Sequence, residues 1–163
     1  MKKIILALIF ICGFNATASE VSLGHCNVFI PDTFNLSIRD DGQNLNFLKT
    51  EYIDYLGHKI LNSEEVNIYK NMPIYDGLIK SASILFEMNN KKYKGIVFKI
   101  PFDSDKDFGI LVFSFEINGD WIEFIEVNGH DVSLYMNDCL SDEDTKRIEA
   151  IKTVRHETFN LSD

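Results

Sequence analysis

A single dipeptide, Asn118-Gly119, leaves the second half of this chain few ways to fold. Both residues tolerate the positive φ that a two-residue hairpin turn demands, and strand-forming residues flank them on either side. Folding about this turn sets Phe115 opposite Ile122 and Phe113 opposite Phe124, with Val112 opposite Ile125 on the reverse face. Apolar side chains therefore occupy both faces of the hairpin. A sheet built this way has to be covered on both sides, by helices or by a second sheet.

Two further hairpins are readable in the same way. Asp41-Gly42 is a favoured turn that brings Ile38 opposite Leu45 and Leu36 opposite Phe47. Folding about Asn90-Lys91 pairs Met88 with Tyr93, Glu87 with Lys94, Leu85 with Ile96 and Ile84 with Val97. A tight turn at Gly129-His130 would extend the meander by a strand over residues 132 to 136, with Leu134 beside Ile125 and Tyr135 beside Phe124. Ser141 followed by Asp142, Glu143 and Asp144 is an acidic N-cap for a helix running to about Val154, with Ile148 and Ile151 on one stripe.

Residues 50 to 76 carry conflicting signals. Leu45, Leu48, Tyr52 and Tyr55 have helical spacing, yet the Asp-Gly hairpin claims the first two as strand. The hairpin is preferred, followed by a short helix or irregular strand from Tyr52 to Leu56 that ends at Gly57. Ser63-Glu64-Glu65 suits a helix cap, while Val66 and Ile68 suit a strand. The fold class that follows is α+β, mainly antiparallel β-meander and hairpins with a C-terminal helix packed on the sheet. With 163 residues, 13 Phe, 6 Tyr and 1 Trp, the chain can build one sizeable core and has no room for a second ordinary domain.

The first residues set the expected compartment. Lys2 and Lys3 precede an apolar run from Ile4 to Ile11, and Ala16-Thr17-Ala18 has the small-x-small pattern of a secretory cleavage site. Residues 1 to 18 are read as a signal peptide and 19 to 163 as the globular domain. The run is too short to span a bilayer, and Ile11 is too large for the residue that precedes a lipidated cysteine, so Cys12 is expected to leave with the leader. Cys26 and Cys139 then remain, an even pair in an oxidising compartment, and a disulfide between them is expected. The location implied is the periplasm or the outside of the cell, with no membrane span in the mature chain.

Sixteen Lys and Arg against 25 Asp and Glu give a formal charge of −9. Removal of Lys2 and Lys3 makes the chain more acidic still. Such a surface repels nucleic acid and anionic lipid, and it would steer a basic protein partner towards it.

Catalytic patterns are missing. His25, His58, His130 and His156 are dispersed, without zinc-site spacing, and no Gly-x-Ser-x-Gly elbow supplies a nucleophile for His130 beside Asp131. Asp103, Asp105 and Asp107 alternate as calcium ligands do, but Phe108 stands where an EF-hand needs Gly and Ser114 where it needs a bidentate acid. No cofactor motif, no metal site and no catalytic residue are assigned. The binding candidate is instead the face of the Asn118-Gly119 hairpin that carries Glu116, Trp121 and Glu123, with Ser114 beside them: an indole flanked by carboxylates, suited to anchoring a basic side chain. The expected function is an exported, periplasmic, non-catalytic acidic binding protein, an inhibitor or immunity-like partner of a basic envelope protein. The alternative is a small envelope enzyme or calcium-binding module that uses residues 103 to 107 or His130.

Overall fold

The computed structural model describes residues 18–38, 44–55, 57–72, 79–102 and 105–151. Residues 1–17, which make up all but Ala18 of the expected signal peptide, and the Asp41-Gly42 turn lie outside the described residues. Among those described, nine strands and two helices follow one another: β1 (Ser19–Leu23), β2 (Cys26–Ile30), β3 (Asn35–Ile38), β4 (Leu45–Tyr55), β5 (His58–Tyr69), β6 (Ser83–Asn89), β7 (Tyr93–Phe102), β8 (Asp105–Ile117), β9 (Asp120–Ile125), α1 (Gly129–Tyr135) and α2 (Asp142–Glu149). Strands β1 and β2 form a separate hairpin. The other seven make one antiparallel sheet in the order β3-β4-β5-β9-β8-β7-β6. The class is α+β, but the sheet is not a simple meander, because β9, last in sequence, lies between β5 and β8.

At the β8–β9 turn Asn118 has φ 53° and Gly119 φ 85°. The register has Phe115 facing Ile122, Phe113 facing Phe124 and Val112 facing Ile125, as the turn dictates. Leu36 likewise faces Phe47 and Ile38 faces Leu45 between β3 and β4.

The β6–β7 hairpin differs from its expected register. Asn90 is not inside the turn but at its start, since its side-chain Oδ1 accepts from the Lys92 N–H at 3.2 Å and its own N–H donates to the Tyr93 carbonyl at 3.0 Å. That local side-chain bond moves the two-residue loop to Lys91-Lys92. Met88 consequently faces Gly95 instead of Tyr93, Glu87 faces Ile96 instead of Lys94, and a bulge at Leu85 sets Ile84 opposite Phe98 instead of Val97. A shift of two residues keeps every side chain before the bulge on its face, so Met88 still points into the core.

Gly95 is needed at that crossing. A Cβ on it would overlap Met88 Cε and lie 2.9 Å from Phe115 Cδ1. Gly95→Ala is expected to destabilise the domain by about 1–3 kcal/mol through overpacking, seen as a lower urea midpoint with unchanged slope.

Most of the ambiguous segment, residues 50 to 55 and 58 to 69, is strand. β4 continues to Tyr55, the chain turns at Gly57 with φ 79°, and β5 returns through Ser63, Glu64 and Glu65. Of the two alternatives, a short helix or an irregular strand, the described residues 52 to 55 take the strand. The helical spacing of Leu45, Leu48, Tyr52 and Tyr55 is coincidental, for in the ladder Leu48 and Tyr52 lie on one face and Leu45 on the other.

The segment read as a strand over residues 132 to 136 is helix α1. Asn128 caps it, its side chain accepting from Asp131 N at 2.9 Å, and Val132 and Met136 then fall one turn apart on a buried stripe. Asn-Gly serves as a helix start as readily as a hairpin turn, and here the buried pair at i and i+4 decides. Tyr135 does reach Phe124, with ring centroids 6.3 Å apart, but from a helix, and Leu134 is exposed instead of lying beside Ile125. The cap of α2 is Ser141, as expected, accepting from Asp144 N at 3.2 Å, although the helix ends at Glu149 in a tightened turn from Ile148 O to Ile151 N.

One sheet face holds the main core: Phe47, Val66, Ile68, Phe113, Phe115 and Phe124 under the β1–β2 hairpin and both helices. Cys26 and Cys139 are disulfide-bonded, Cα–Cα 5.1 Å, tying that hairpin to the connection between α1 and α2. A buried carboxylate joins α2 to the sheet. The Tyr93 hydroxyl and the Ser141 hydroxyl both donate to Asp144 Oδ2. Burial, then the bond to Asp144 and its charge, push the Tyr93 phenol up to about 12, so it remains a neutral donor. The opposite sheet face is buried over its centre too, at Phe98, Val112, Ser114 and Trp121. No described helix is long and apolar enough to cross a membrane.

Candidate functional site

The β8–β9 register brings Glu116 opposite Trp121 and Ser114 opposite Glu123 on one face, as the sequence indicates. Exposure is where the structure departs from it. Trp121 is only 3% exposed and Glu123 7%. The indole Nε1–H donates to Ser114 Oγ at 3.2 Å, and the ring packs against Tyr69 with centroids 5.9 Å apart. A buried tryptophan with its polar atom satisfied within the domain is a core residue. Of the three candidates only Glu116 faces solvent appreciably, where it holds Lys94 at 3.6 Å. The expected open patch is therefore corrected: its residues share a face, but that face is covered.

Exposed apolar side chains are concentrated instead on the outer part of the β4–β5 hairpin. β3 pairs with β4 only as far as Leu48, and β9 pairs with β5 only from Glu65 onward. Seven further pairs, from Lys49–Glu64 to Tyr55–His58, thus form a two-stranded arm with no strand paired to either edge among the described residues. At roughly 3.3 Å per residue it projects about 20 Å. Its apolar residues form a belt: Tyr52 faces Leu61 on one side of the ribbon, and Ile53 faces Ile60 on the other. All four are exposed, Tyr52 at 71% and Leu61 at 52%. Charged pairs bracket the belt, Lys49 with Glu64 at the root, Nζ to Oε1 3.1 Å, and Asp54 opposite Lys59 near the tip.

An isolated two-stranded ribbon is marginally stable in water, and an exposed apolar belt adds hydration cost. Sequence reading missed the arm because helical spacing obscured it. A legible signal existed, since folding about Leu56-Gly57 aligns Ile53 with Ile60, Tyr52 with Leu61 and Lys49 with Glu64 in one register.

The remaining chemical candidates separate. His130 Nδ1 lies 3.5 Å from Glu149 Oε1, and the buried Ser133 hydroxyl lies 2.9 Å from the same oxygen. The acid sits between serine and histidine. This arrangement clips α1 to α2 and offers no serine–histidine bond for nucleophile activation. Asp131 faces Asn128 at the cap of α1. Asp105 and Asp107 belong to β8 and not to a curled loop, while Asp103 lies outside the described residues. No group of three or more His, Cys, Asp or Glu among the described residues is placed to hold a metal ion.

Fold and surface together define a class: a small disulfide-tethered α+β domain that presents a β-arm. Comparison with known proteins adds no closer identification, for no family model, no curated protein and no solved structure matches the chain.

Proposed function

We propose that this is an exported, non-catalytic binding protein of the cell envelope that engages a basic protein partner through the β4–β5 arm, in the manner of an inhibitor or immunity protein. The carrying observation is the apolar belt of Tyr52, Ile53, Ile60 and Leu61 on a ribbon whose two edges are open among the described residues. Open edges accept an extended strand through main-chain hydrogen bonds, and side chains of the belt fill pockets on the partner. The formal charge of −9 favours a basic partner and suppresses acidic ones. The disulfide suits an oxidising compartment.

The arm can be removed without touching the core. Joining Lys49 to Glu64 through Asn-Gly preserves their pairing and replaces fourteen residues by a favoured turn. The armless protein is expected to keep its melting temperature within a few degrees and to lose a stoichiometric basic partner that the intact protein recovers from envelope extract. Tyr52→Ala alone should weaken that complex by about 2 kcal/mol, mainly through faster dissociation. Recovery of the same partner by the armless protein, or of none by the intact one, would defeat this reading.

A further inference from the structure

At the opposite end of the sheet from the arm, three turns distant in sequence meet. The arm leaves beside the Ile125 end of β9, whereas the β1–β2, β6–β7 and β8–β9 turns gather at its Asp120 end. They are in contact: a Cβ on Gly24, whose φ is 70°, would lie 2.9 Å from Asn118 Nδ2. Between them is a cleft of about 370 Å³, within the size range of small-molecule sites.

Its lining runs against the character of the protein. Lys91, Lys92 and Lys94 line it together with a single carboxylate, Glu116, in a chain whose formal charge is −9. Lys91 and Lys92 have no ion-pair partner among the described residues. Lys94 is held to Glu116 at 3.6 Å with 65% of its side chain exposed, a pairing weak enough to exchange for a ligand. Asn89 and Asn118 supply amides that both donate and accept, which suits hydroxyl groups. The Tyr93 hydroxyl proton is committed to Asp144.

We infer that this cleft binds a small anionic, hydroxylated molecule, of the size of one acidic or phosphorylated sugar ring, with its anion on the lysines and its hydroxyls on the asparagines. The ligand has to be small. A polyanion would extend beyond the three lysines onto the acidic remainder of the surface, where it is repelled. Phosphate and carboxylate satisfy the lysines equally, so the head group is distinguished by experiment.

The intact protein is titrated at low ionic strength with glucose 6-phosphate, glucuronate, glucose and inorganic phosphate, by calorimetry and by the amide resonances of Asn118 and Gly119. Saturable binding of glucose 6-phosphate or glucuronate is expected, with glucose at least tenfold weaker. The double variant K91Q/K92Q should keep the melting temperature and lose tenfold or more in affinity, with a reduced salt dependence. Preference between the two sugar acids identifies the head group. Failure of both to bind, or unchanged affinity in the double variant, overturns the inference. Inorganic phosphate binding as tightly as glucose 6-phosphate removes the role of the asparagines and overturns it in that form.

Discussion

Replacing Cys26 and Cys139 together by alanine is expected to cost the protein about 4 kcal/mol of stability. The bond spans 113 residues, and in the chain-entropy account closing a loop of about 100 residues restricts the unfolded ensemble by about 4.7 kcal/mol. Both cysteines are buried, and alanine leaves only small voids where the sulfurs were, so most of the loss comes from the unfolded state. For a domain of this size it corresponds to a fall in Tm of about 8 to 16 °C. Urea unfolding of the oxidised, reduced and double-alanine forms measures it. Reduced and double-alanine proteins should agree closely, and a loss below about 1 kcal/mol would mean that native packing alone holds β1, β2 and the helices to the sheet.

Trp121→Ala should destabilise the fold by a similar amount, about 3–5 kcal/mol. The indole is almost wholly enclosed, and its removal opens a cavity against Tyr69 while leaving the buried Ser114 hydroxyl without the indole N–H. Trp121→Phe refills much of the volume but not the hydrogen bond, so about 1–2 kcal/mol should separate it from the native protein. As the sole tryptophan, residue 121 also reports its own environment: iodide should quench its fluorescence poorly in the native state and freely in urea. An alanine variant as stable as the native protein would return Trp121 to the surface and restore the acidic aromatic patch as a docking site.

The contrast between these residues explains what can be read from the chain alone. The β8–β9 and β3–β4 registers were legible because Asn118-Gly119 and Asp41-Gly42 fix the turn centre locally, and a period of two then assigns every partner. Asn90 broke that logic through one side-chain bond to Lys92 N. The Gly129-His130 turn broke it because these residues open a helix, capped by the Asn128 side chain, instead of a hairpin. Pairing of β5 with β9 joins residues more than fifty positions apart, and no local signal announces it. The same holds for exposure. Local alternation put Glu116, Trp121 and Glu123 on one face, whereas the burial of that face depends on elements remote in sequence. The arm was hidden for the converse reason: its pairs are local, but where β3 and β9 stop decides that no described strand flanks them.

The position of β9 has a consequence for any shortened chain. Polypeptide ending before Asp120 contains β3, β4 and β5 as one set and β6, β7 and β8 as another, with no strand between β5 and β8 to join them. Each set then carries a raw edge where β9 belongs, lined by Val66 and Ile68 on one side and by Phe113 and Phe115 on the other. Such edges are templates for pairing with neighbouring chains. Continuity of the sheet therefore exists only in a chain synthesised past residue 125, and the long-range closure this requires belongs to the slow end of folding. A nascent chain of this protein is obliged to stay unfinished until Ile125 has been added.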